Sequence, residues 1–149
     1  MVAKTEHHLK SGCPVACALD IFGDHWTLLI IRDLMFLERH EYKDMLAGEE
    51  GISSNILSDR LARLEQAGLI ASAPHPKSRR RKLYYLTGTG KDLVPVMLAI
   101  AKWSDRHLGD RVFIPDDRRP LLEMDPDEVA KLVCDRLEAW EEENLPKPV

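Results

Sequence analysis

The chain has 149 residues, 44% of them apolar and 31% charged, with a formal net charge of -4, a length that suits one domain with a sizeable core, or one domain and a terminal element. No apolar run approaches the roughly 18 to 20 residues that span a bilayer, and the start, MVAKTEHHLKSGCP, lacks the apolar stretch of a secretion signal; a cytoplasmic location and no membrane partner are expected. Cys13, Cys17 and Cys134 are too few, and odd in number, for a disulfide framework.

Residues 1–12 have no periodic pattern and read as a flexible arm. Pro14 then opens a short helix with Val15, Leu19 and Phe22 on one face, Pro being harmless at a helix start, and Gly23 closes it. His25 to Phe36, HWTLLIIRDLMF, is apolar nearly all round and reads as the central buried helix, with Trp26 and Leu28 in the core. Tyr42, Met45 and Leu46 fit a turn or two of helix. After the turn at 49–51, Ser53 stands as an N-cap ahead of Leu57, Leu61 and Leu64, whose spacings of four and three are helical, until Gly68. Short helix, turn, amphipathic helix is the order of a helix-turn-helix.

From Leu69 the period changes. Residues 69–73 and 82–86 are strand formers around a Pro-containing basic stretch, which predicts a hairpin with an eight-residue tip at 74–81. A longer helix begins near Thr87 or Thr89 and carries Leu93, Val96, Met97, Ile100 and Trp103 on one stripe. Pro95 kinks it unless it falls in the first turn. The stripe exceeds what a small wing covers, so a helix from another subunit is its expected cover. After a linker at 110–120, a last helix follows Asp125-Pro126, with Val129, Leu132, Val133, Leu137 and Trp140 as its stripe.

Charge is unevenly placed. Gly51 to Lys91 holds eight Lys/Arg against Asp59 and Glu65, whereas Asp116 to Glu143 holds eleven Asp/Glu against four Lys/Arg. A polyanion suits the first segment. Ser54, Asn55 and Ser58 at the helix start are small polar groups suited to base edges in a major groove, where Asn pairs with both edge groups of adenine. Ser53, Arg60, Arg63 and the wing cations Lys77, Arg79, Arg80 and Arg81 are suited to phosphates or a narrow minor groove.

Three stretches carry a family resemblance: CPVACALDIFGDHWTLLIIRDLM (Cys13 to Met35), GISSNILSDRLARLEQAGLI (Gly51 to Ile70) and YYLTGTGKDLVPVMLAIAKWSDRH (Tyr84 to His107). In them the chain resembles the HxlR-type winged helix-turn-helix regulators, a branch near the MarR regulators. The resemblance implies a mainly α fold with a small β-hairpin wing (α+β), dimeric, binding palindromic operator DNA with a 53–66 recognition helix and a 74–82 basic wing. It places Val15, Leu19, Leu93, Met97, Ile100 and Trp103 at a dimer interface or in the core, and leans toward repression. The domains expected are the arm at 1–12, a winged helix-turn-helix and dimerisation domain at 13–109, and a linker with an acidic helical extension at 110–149. The resemblance does not explain that extension, which either packs on the dimer or recruits another protein.

Cys13 stands where some members of the family sense oxidants, and a thiol near a helix N-terminus is activated there. Cys17, four residues on, shares its face if both are helical. Packing as small hydrophobes is the alternative for both, and packing is the expectation for Cys134. His7, His8, Cys13 and Cys17 offer metal-ligand chemistry, but the His pair lies in the arm and no metal or cofactor is expected. A small effector could occupy a cleft between the first, second and long helices. No paired carboxylates, phosphate-binding Gly loop or nucleophile-base pair emerges, so an enzyme is not expected. The competing reading is an adaptor with a winged-helix fold that docks proteins through its acidic tail.

Overall fold

The computed structural model describes residues 10–148; the arm expected at 1–12 lies outside them apart from 10–12. Helix α1 (Pro14–Phe22) has Pro14 in its first turn and buries no residue; Val15 is 66% and Leu19 48% exposed. Helix α2 (Thr27–Phe36) does the opposite, burying Ile30, Ile31, Leu34 and Met35. Trp26 and Leu28, read as core, are half-buried. The helix starts at Thr27 rather than His25 because the Asp24 carboxylate accepts hydrogen bonds from the Trp26 and Thr27 amides at 3.0 and 3.1 Å, satisfying donors left over at a helix start.

Helix α3 (Tyr42–Leu46) and helix α4 (Ser54–Gln66) complete the helix-turn-helix. Ser53 caps α4, its hydroxyl accepting from the Ile56 amide at 3.3 Å. Leu57, Leu61 and Leu64 are buried, as their spacing requires. Gly68, at φ 76°, turns the chain out of the helix in the left-handed conformation that glycine adopts without steric cost.

Strands β1 (Ile70–His75) and β2 (Ser78–Leu86) form an antiparallel hairpin running from Ile70 opposite Leu86 to Pro74 opposite Lys82, with an irregularity before His75 meets Ser78. The eight-residue tip expected at 74–81 is therefore corrected to the two residues Pro76 and Lys77, and Arg79, Arg80 and Arg81 lie on β2. Pro74 does not end β1, because in a two-stranded sheet each strand has an open edge where a missing N–H costs no ladder bond.

The long helix is broken. Helix α5 (Gly88–Lys91) is one turn, and helix α6 (Val94–His107) restarts with Pro95 in its first turn, where the ring is tolerated. Thr87 fixes the corner between strand and helix, donating to the Gly68 carbonyl at 2.6 Å and accepting from the Gly90 amide at 3.2 Å. Gly90 is buried so tightly there that a Cβ would lie 2.1 Å from the Leu69 carbonyl oxygen.

After short 3-10 turns at Gly109–Arg111 and Arg119–Leu122, helix α7 (Pro126–Asn144) starts at Asp125, whose carboxylate accepts from the amides of Asp127 and Glu128. Val129, Val133 and Leu137 are buried against α2 and α6 of the same chain; each such side chain contributes about 1.5–3 kcal/mol on burial. The C-terminal segment also caps α2: Arg118 donates to the Phe36 carbonyl at 3.2 Å, and Arg136 to that of Met35. The acidic extension thus meets the rest of the chain through apolar and cationic groups and through Glu141, which pairs with Lys91 of α5 at 3.0 Å. Even so, Ile100 and Trp103 on α6 stay 46% and 58% exposed. Among the described residues no single helix is long and apolar enough to cross a membrane.

Candidate nucleic-acid interface

Ser54, Asn55 and Ser58 stand exposed on the first turns of α4. Tyr42 of α3 supports that end of the helix, donating from its hydroxyl to the Ser54 carbonyl at 3.1 Å and lying 3.3 Å from Ser58 Oγ. The Asn55 side chain has no hydrogen-bond partner among the described residues, so all its donors and acceptors face solvent.

The basic residues divide into two groups. Arg60 turns inward, its Nε donating to Asp24 at 2.8 Å and its Nη1 to Asp59 at 2.6 Å, and Arg63 pairs with Asp59 at 2.9 Å. Asp24 also accepts from the Thr27 hydroxyl. Partial burial opposes its ionisation, but the hydrogen bonds from Thr27, Arg60 and the Trp26 amide hold its pKa down at about 2. Arg81 is likewise engaged, its Nε donating to Glu41 at 2.7 Å, with His75 Nε2 3.9 Å from the same carboxylate. Desolvation works against Glu41, yet the Arg81 bond pulls its pKa below the usual carboxylate range. Lys77, Arg79, Arg80 and Lys82, by contrast, are exposed and have no side-chain partner among the described residues. The exposed start of α4 is thus uncharged at Ser54, Asn55 and Ser58, and the wing carries the cations that stay exposed.

The Cys13 thiol is exposed one residue ahead of α1, and hydrogen bonds from the Ala16 and then the Val15 amide lower its pKa. Cys17 is exposed too, its Sγ 3.7 Å from the Ser11 carbonyl oxygen. Cys134 is half-buried and burial raises its pKa. His7 and His8 lie outside the described residues, and among the described residues no three His, Cys, Asp or Glu side chains gather as a metal site.

The sequence pattern of the HxlR-like helix-turn-helix family matches residues 21–111, from the end of α1 through the wing and α6. The chain belongs to that family. The uncharacterized HTH-type transcriptional regulator Rv3095 of Mycobacterium tuberculosis is 36% identical to this HxlR-like chain over 101 residues, 68% of the chain but 63% of the relative. The chain therefore spans less than two thirds of the length of its mycobacterial relatives. Among solved structures, PA1607, a candidate transcription factor, is 35% identical with a TM-score of 0.58, covering 75% of this chain and 73% of its own. The reduced form of the transcriptional regulator YodB from B. subtilis is 28% identical with a TM-score of 0.53, covering 65% and 95%. These likenesses establish the winged helix-turn-helix fold.

The HxlR-like match begins after Cys13 and Cys17 and stops at Arg111, so α7 lies outside the family pattern. Sequence reasoning missed Asp24, Glu41 and Tyr42 as partners of Arg60, Arg81 and the start of α4. Asp24 had a signal, an acidic residue just after a glycine and three residues before an apolar helix. The Glu41 and Tyr42 contacts had none, since their partners are 40 and 12 residues away.

Proposed function

We propose that this chain is a dimeric, sequence-specific DNA-binding transcription regulator acting from the cytoplasm as a repressor. The observation that carries the reading is that Asn55, at the exposed start of α4, and the wing cations Lys77, Arg79, Arg80 and Lys82 are all exposed and without a side-chain partner among the described residues. Ser54, Asn55 and Ser58 read bases in the major groove. The free wing cations hold phosphates or enter the minor groove, and Ser53, Arg60, Arg63 and Arg81 chiefly shape the surface. Regulation of transcription is what the names of Rv3095 and YodB state of those proteins.

Dimerisation is supported by the apolar side chains that α1 and α6 leave in solvent. Val15, Leu19, Ile100 and Trp103 are exposed, with Leu93 and Met97 half-buried beside them on α6 or just before it; such surface favours a partner helix. Two copies of α4 then meet a palindromic operator. Control by oxidants acts at Cys13, whose exposed, low-pKa thiol has the environment of a reactive cysteine, with Cys17 on the same helical arm.

Fluorescence anisotropy with duplexes from the protein's own upstream region, repeated over a salt series, tests the reading. A preferred operator should be bound more tightly than its scrambled version, and Asn55→Ala should narrow that gap. Indistinguishable affinities for both duplexes would sink sequence-specific regulation. Diamide should alter operator affinity of the wild type and not of Cys13→Ser; equal responses would remove Cys13 as the sensor.

A further inference from the structure

His40 lies in the α2–α3 connection, where the wing and the C-terminal helix meet, and it is 4% exposed. Its backbone carbonyl accepts from the Tyr84 amide at 2.8 Å, and its Nδ1 lies 2.8 Å from the Tyr84 carbonyl oxygen. A carbonyl only accepts, so Nδ1 carries the proton. His40 therefore closes both backbone groups that Tyr84 presents on the outer edge of β2, as a neighbouring strand would. The face of its ring stacks on Trp140 of α7, with centroids 3.5 Å apart and planes at 15°. The other nitrogen, Nε2, is buried with no hydrogen-bond partner among the described residues.

We propose that His40 is a proton-operated latch through which α7 positions the wing: the neutral ring, clamped by Trp140, holds β2, and a proton taken from water onto Nε2 releases it. The proton adds to the Nε2 lone pair and no other covalent bond changes. It creates a second N–H in a buried site where the described residues offer it no acceptor, a costly arrangement. The charged groups around the ring do not supply one. Glu38, on the same connection, is 4.0 Å from Arg136 of α7, and Glu141 of α7 is paired with Lys91 of α5 at 3.0 Å. On β2, the Tyr84 phenol has its pKa raised by burial and stays neutral.

Burial pushes the His40 pKa below its ordinary value, outweighing the Tyr84 carbonyl, Glu38 and Glu141, while Arg136 adds to the effect. With a depressed folded value, the latch is at full strength above the ordinary histidine range and weakens as pH falls below it. The indole face offsets part of the cationic cost by a cation–π contact, without providing the missing acceptor. The consequence for DNA rests on the wing reading above; the latch itself does not.

The test uses the full chain without DNA. Long-range proton–nitrogen NMR at about pH 7.5 should show His40 protonated on Nδ1 and bare on Nε2. The Tyr84 amide protection factor should fall about tenfold on acidification to about pH 5.5, as a local opening. His40→Asn places an amide N–H near the Nδ1 position and takes up no proton, so its Tyr84 protection should stay flat with pH. Trp140→Leu should lower Tyr84 protection already at neutral pH. A neutral ring protonated on Nε2, or a pH response of Tyr84 shared by wild type and His40→Asn, would overturn the latch. If the chain failed to bind DNA, these outcomes would stand unchanged.

Discussion

Replacing Arg80 by Ala removes a wing cation that has no partner among the described residues, whereas replacing Glu41 by Gln releases one that is paired, Arg81. The two changes should move the salt dependence of DNA binding in opposite directions. If Lys77, Arg79, Arg80 and Lys82 of both subunits each meet a phosphate, the slope of log K against log salt is about -7, and affinity falls about 10⁴-fold between about 50 and 200 mM salt. Arg80→Ala deletes one contact per subunit, which flattens the slope by about 1.8 and makes the loss over that interval about tenfold smaller. Glu41→Gln adds the Arg81 contact and steepens the slope by up to the same amount. The Glu41–Arg81 pair is partly solvent-exposed and contributes only about 0.2–1 kcal/mol to folding, so both variants should melt close to the wild type. Fluorescence anisotropy over a salt series with an operator duplex reads the slopes directly. A flatter slope for Glu41→Gln, or an unchanged one for Arg80→Ala, would refute the division between free and engaged cations.

Other consequences are open to measurement. Gly90→Ala should destabilise the fold by about 1–3 kcal/mol, because its new methyl meets the Leu69 carbonyl in a packed corner; an unchanged melting temperature would contradict that. Asp24, with its pKa held at about 2, contributes stability that is present above the ordinary carboxylate range and lost as pH falls through about 2. Urea titrations should show Asp24→Asn less stable at neutral pH, by about 1 kcal/mol after solvent screening, and the gap should close in acid. Tyr42→Phe removes the hydroxyl that supports the start of α4. It should weaken operator binding by about 0.5–1.5 kcal/mol, readable by anisotropy, while scrambled DNA is bound as before.

Local signals were legible in the sequence where one element satisfies them by itself. Ser53, the Leu57–Leu61–Leu64 spacing and Gly68 define α4 within its own stretch. Pro74 misled because its effect depends on which edge of the hairpin it occupies, and that is a property of two strands. The break before α6 was marked by Pro95, which falls in the first turn of α6; the close pass of Gly90 by the Leu69 carbonyl was not, because it joins residues 21 positions apart. The apolar stripe of α7 was visible through Val129, Val133 and Leu137, yet its cover, α2 and α6, lies far away in the sequence, and Leu132 from the same stripe remains in solvent. The allocation of arginines was the least legible. Arg60 and Asp24 are 36 residues apart, and nothing in either neighbourhood marks one as the partner of the other.

That last contact has a mechanical meaning. Helices α1 and α2 meet at 79°, and Gly23 closes α1 directly before Asp24, the carboxylate that holds both the start of α2 and Arg60 of α4. On the function proposed above, a swing of α1, whether from the seating of a second subunit or from chemistry at Cys13, pivots one residue away from the carboxylate that holds Arg60 of α4. The link from Gly23 to Asp24 is a single peptide, so a small tilt of α1 crosses no flexible linker before it reaches the carboxylate that holds α4.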